Sequence, residues 1–213
     1  RVDHVSVPLA KEGTGQVVVD FTPEPLTQDV SFVFHIEKTA DVVVDSLTAE
    51  ISGIPSTMEL TTGLILAQKT YKLLFRPTYA ALPSAADSAS AEALRCEASV
   101  NIPGIVRSHT EDMVTGPGIL QIAIYTHYDY EEEGTQRKAA KVFHAGINLY
   151  HTLKERKSLQ WDEEENGYRQ ASRSITVEIG SPLNIDKDGI LNGGSTSTGL
   201  DQWIPGETFE IEV

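Results

Sequence analysis

From Val30 to Glu37 the chain reads Val-Ser-Phe-Val-Phe-His-Ile-Glu, so Val30, Phe32, Phe34 and Ile36 fall on one side of an extended backbone and Ser31, Val33, His35 and Glu37 on the other. Successive side chains of a strand point to opposite faces, and a period of two therefore reads as a strand with one buried face. The period recurs along the chain. Val43, Leu47, Ala49 and Ile51 share a parity, with Asp45 the exception, in a run expected to end at Ser52-Gly53. Tyr71, Leu73 and Phe75 alternate until Pro77 removes a donor. Leu120, Ile122, Ile124, Thr126 and Tyr128 follow Gly116-Pro117-Gly118, and an antiparallel neighbour is expected from Phe143 through Ala145, Ile147, Leu149 and His151 to Leu153. Between them, Asp129 to Gly134 reads as a charged hairpin tip. Ile175, Val177 and Ile179 give a further strand, and Phe209, Ile211 and Val213 share one face of the last.

Composition points the same way, since 52 of the 213 residues are Val, Ile or Thr, whose branched side chains suit a pleated surface. About nine or ten strands with no long helical period exclude a parallel α/β fold and predict an all-β antiparallel β-sandwich or barrel. Residues 1–213 read as a single sandwich domain with a flexible Ala/Ser-rich loop at 80–93, and Asp186 to Leu200 is a second long connection. Lys and Arg total 17 against 31 Asp and Glu, a formal charge of −14. Nucleic acid and anionic membranes are excluded as partners, because both demand clustered cations. The chain opens on Arg1 without a leader, and it reads as a processed chain or a fragment.

No constellation of catalytic residues is expected. The six histidines, His4, His35, His109, His127, His144 and His151, are scattered, and the single cysteine, Cys96, permits neither an internal disulfide nor a zinc set. No metal and no cofactor are therefore expected. Asp186-Lys187-Asp188-Gly189 opens like a calcium loop but lacks the closing bidentate Glu, and reads as a tight turn. Glu131 to Glu133 and Asp162 to Glu165 read as solvated hairpin tips. Neither a nucleophile elbow nor a phosphate-binding glycine loop occurs. Cys96 reads as a buried inert thiol, and Trp203 as a residue that closes the core. Trp161, followed by four acids, is the candidate surface contact. A sugar-binding accessory module would stack its ligand on Trp161, Tyr125, Tyr128 or Tyr130. A glycosidase or peptidase fragment would need two carboxylates about 5 to 9.5 Å apart in a cleft.

Several segments together resemble a family. Ser46-Leu47-Thr48-Ala49-Glu50-Ile51-Ser52-Gly53-Ile54, followed by Thr57 to Gly63 as Thr-Met-Glu-Leu-Thr-Thr-Gly, is similar to a strand, turn and short strand of Bacteroidetes fimbrillin-like proteins. Asp201-Gln202-Trp203-Ile204-Pro205-Gly206 resembles the lead into that family's final strand. The resemblance implies a transthyretin-like or immunoglobulin-like Greek-key sandwich with long loops, the C-terminal one of two domains in a lipoprotein of the fimbrial anchor or tip class. It implies a non-enzymatic subunit at the extracellular face of the outer membrane. Its partners would be other fimbrial subunits or host or bacterial surface receptors, and it would meet the membrane only through a lipid anchor outside this chain. The family polymerises by strand exchange, which makes Thr208, Phe209, Glu210, Ile211, Glu212 and Val213 either an exchanged strand or the strand that closes its own sheet. The rival reading is a carbohydrate-binding accessory module of a surface glycan-uptake system.

Overall fold

Alternation becomes pairing first in β1 (Gln28–Thr39), which buries Val30, Phe32, Phe34 and Ile36 and runs antiparallel to β5 (Ala91–Ile102) along its whole length. The computed structural model describes residues 26–60, 63–82, 91–108, 115–162, 167–170, 173–191 and 203–211. Beyond β5 lies β4 (Thr78–Ala81), and on the other side of β1 lie β10 (Ser174–Glu178) and β11 (Leu183–Ile185). These form the first sheet. The second has the order β12 (Ile204–Ile211), β7 (Thr135–Ile147), β6 (Leu120–Glu132), β2 (Val42–Met58) and β3 (Ile65–Phe75), every neighbouring pair antiparallel. A small ribbon, β8 (Leu159–Asp162) with β9 (Gly167–Gln170), forms a two-stranded sheet of its own.

The buried faces of the two sheets share one apolar core. Phe32 of β1 stacks on Phe75 of β3 with ring centroids 5.9 Å apart, and Phe34 meets Trp203 edge-on at 5.4 Å. Trp203 thus closes the core as expected. The fold is an all-β sandwich. The order β4-β5-β1 facing β7-β6-β2-β3 is the D-E-B against G-F-C-C′ arrangement of an immunoglobulin-like Greek key. β10 and β12 occupy the flanking places beside β1 and β7.

The hairpin between β6 and β7 turns at Glu133 and Gly134, both at positive φ (50° and 75°), which matches the twist of the flanking strands. Elsewhere the pattern and the fold differ. Val42 and Val44 are buried and Val43 is exposed, because a register shift between Val44 and Ser46 inverts the parity before Leu47, Ala49 and Ile51. One extra residue in a strand moves every later side chain to the other face. β2 also continues past Ser52-Gly53 to Met58, bending through a second register shift between Ile51 and Ile54. The strand expected from Phe143 to Leu153 stops at Ile147. Asn148 accepts a hydrogen bond from the His151 amide at 3.2 Å and caps helix α1 (Leu149–Glu155), whose Leu149 and Leu153 sit one turn apart and face the core.

β10 and β11 run parallel to β1 rather than antiparallel. The expected loop at 80–93 is narrower, since Ala80 and Ala81 belong to β4 and Ala91 to Ala93 to β5; residues 83–90 lie outside the described residues. Among the described residues no helix is long and apolar enough to cross a membrane.

Candidate functional site

The outer faces of the two sheets are built from opposite chemistry. On the first, Ser31 donates to Ser99 at 3.2 Å, Asn101 donates to Asp29 at 2.7 Å, and Arg95 pairs with Glu97 at 2.6 Å. On the second, the register places Ser46, Tyr125, Val142 and Phe209 in one cross-strand row and Thr48, Ala123 and His144 in the next. None of these seven is Lys, Arg, Asp or Glu. Tyr125 (37% exposed), Ile204 (39%), Val43 (44%) and Phe209 (51%) present apolar surface there. The Phe209 ring meets His144 edge-on at 5.6 Å. Charged residues flank these rows, with Glu50 on one side, the Asp45–His127 pair, 2.8 Å apart, on the other, and exposed Glu207 in the β12 register shift between Pro205 and Thr208. The bulge holding Asp45 is pinned from the first sheet, where the Tyr79 hydroxyl lies 3.1 Å from the carbonyls of Val44 and Asp45 and donates to either.

A cleft of about 540 Å³ lies beyond the Glu50 end. Its floor is the second bend of β2, where Gly53 has φ 77°. The Ser52 amide donates to the Ile119 carbonyl at 2.9 Å, the Gly118 amide to Ser52 at 3.0 Å and the Val106 amide to Gly53 at 2.8 Å. The Ser52 hydroxyl donates to Gly116 at 2.5 Å. A Cβ on Gly53 would sit 2.6 Å from the Gly118 nitrogen, so only glycine allows this approach. The walls are Tyr71, Thr70, Thr115, Gln121 and the ion pair of Lys72 with Glu50 at 2.7 Å. Among the described residues Glu50 is the one carboxylate in the lining.

The other sequence candidates are dispersed. β12 pairs with β7 of its own sheet, from Ile204 opposite Gly146 to Ile211 opposite Ala140. Its Thr208 and Phe209 are both exposed, and a register shift between Pro205 and Thr208 sets the phase of the strand. The backbones of Glu210 and Ile211 continue the pairing, and Glu212 and Val213 lie outside the described residues. Trp161 pairs through its backbone with Tyr168, and its side chain lies outside the described part of the structure. Of the tyrosines, Tyr128 is engaged by the Lys141 ammonium, 5.5 Å from its ring centroid, and stands 6.3 Å from Tyr130 near the hairpin tip. Tyr125 belongs to the uncharged face instead.

Asp186-Lys187-Asp188-Gly189 is a turn in which one Asp186 carboxylate oxygen accepts the amides of Asp188 (2.7 Å) and Gly189 (2.8 Å). The Lys141 ammonium donates to the Lys187 carbonyl at 2.6 Å, supplying a cation from within the chain. Among the described residues no group of His, Cys, Asp and Glu is arranged to hold a metal. Cys96 is buried on β5, and burial pushes its thiol up to about 12, which keeps it protonated and unreactive. His151 is buried in α1, while Asp162 ends β8 and residues 163–166 lie outside the described residues. Compared with known proteins, the chain matches no family model, no curated protein and no solved structure.

Proposed function

We propose that the chain is a non-enzymatic cell-surface subunit of fimbrial or adhesin type, exposed at the outer membrane, that acts by assembly and contact. The outer face of the second sheet meets a neighbouring subunit of the same assembly. One observation carries this reading: an outward sheet face that ought to be polar has apolar and uncharged side chains across four strands. Antiparallel sheets normally turn polar residues to water, and contiguous exposed apolar surface marks a place where a partner docks. The net charge of −14 adds a reason for its position. Two acidic subunits approach at least electrostatic cost where neither presents charge.

A photoreactive residue placed at Tyr125 or Phe209, in cells that make the protein, tests the reading. High-mass ladders containing this chain are expected from those positions, and none from a probe at Ser99 on the first sheet. Monomeric product from all three positions would contradict it.

A further inference from the structure

We propose that the cleft at the Gly53 bend binds a neutral saccharide unit, stacked on Tyr71 and hydrogen-bonded by Glu50, Lys72 and Gln121. The cleft adjoins the Glu50 end of the uncharged face but is lined by none of its seven residues, and it needs no assembly to exist. Its volume of about 540 Å³ falls within the range of small-molecule sites.

The lining selects the class of ligand. The carboxylate of Glu50 and the ammonium of Lys72 neutralise one another at 2.7 Å, so neither an anion nor a cation meets a net opposite charge. A wholly apolar ligand would strip water from Thr70, Thr115 and Gln121 without replacing its hydrogen bonds. A sugar ring answers both conditions. Its C–H face packs on the exposed Tyr71 ring, and its rim of hydroxyls donates to the Glu50 carboxylate and accepts from Lys72 and Gln121. The floor is fixed before any ligand arrives, since Ser52, Gly53 and Gly118 are tied to distant loops by backbone hydrogen bonds of 2.8 to 3.0 Å. Such preorganisation lowers the entropic cost of binding a weakly held ligand.

Amide NMR spectra of the full chain, titrated with glucose, galactose, mannose, fucose and N-acetylglucosamine, test the proposal, with N-acetylneuraminic acid and inorganic phosphate as charged comparators. At least one neutral sugar is expected to shift the Gly53, Tyr71 and Gln121 amides. Tyr71→Ala should weaken that binding about tenfold, the scale of one lost aromatic contact. Gln121→Ala, which removes a hydrogen-bonding wall of the same cleft, keeps the test open should Tyr71→Ala unfold. Tyr125→Lys, on the assembly face, should leave the sugar response intact, so loss of assembly and loss of sugar binding are read separately. The proposal is overturned if no neutral sugar moves these amides, if the charged comparators move them equally, or if folded Tyr71→Ala and Gln121→Ala bind as the parent does.

Discussion

The two sheets bury similar side chains against each other but turn different surfaces outward. The first presents Ser31 joined to Ser99 and Asp29 to Asn101 across strands, and Arg95 joined to Glu97 along β5. The second presents Tyr125, His144 and Phe209 around a buried Val142, with no formal charge among them. The strand pairing within each sheet does not by itself dictate what either outer face carries, and the partner proposed above for the second face would account for the asymmetry.

Edges sharpen the contrast. The free edge of β10 in the first sheet is closed by Arg156, whose guanidinium donates to the carbonyls of Thr176 at 3.2 Å and Glu178 at 2.8 Å. An open strand edge invites another chain, and a cation on its carbonyls prevents that. These two carbonyls of β10 are therefore already engaged from within the chain.

The contrast can be broken at four points. The largest effect belongs to the shared interior: Phe143→Ala should cost about 3–5 kcal/mol of folding free energy in denaturant titration, whereas Phe209→Ala on the outer face of the same sheet should cost well under half of that. Tyr125→Lys should weaken association by about thirtyfold, the loss of one interface hot spot, measured by sedimentation or crosslinking yield, and Ser99→Lys on the first sheet should leave association unchanged. Arg156→Ala should lose about 1 kcal/mol and make a monomeric preparation associate in a concentration-dependent way through β10. Asp45→Ala should change stability by about 0.5 kcal/mol, the scale of a partly exposed pair, and should leave the Val44 to Ser46 register shift in place because Tyr79 also holds that backbone.

Much of the fold could be read in the chain where one strand keeps one phase. β1, β6 and β10 do, and parity alone gives their buried residues apart from Ala123 of β6. Parity failed where a single residue was inserted. Val43 looked like a core residue because nothing local distinguishes a bulge at Asp45 from a polar exception in a regular strand. Leu149 and Leu153 fit a period of two and also the spacing of a helical turn; Asn148, a strong capping residue before an apolar run, was the signal that separates these readings. The parallel pairing of β10 with β1 links residues far apart in sequence, which periodicity does not encode. The cleft was hidden for the same reason. Ser52-Gly53 was visible as a turn, but its walls come from β3, β6 and the 115–118 segment, assembled only by the fold. The uncharged face was hidden because its rows are cross-strand and depend on register.

Hydroxyl-radical footprinting of the isolated and the assembled protein tests the central claim most directly, because it reads both outer faces in one sample. The account predicts that Tyr125, Phe209 and Val43 lose reactivity on assembly while His35 on the first sheet keeps it. Protection of His35 with Tyr125 and Phe209 still reactive would contradict it.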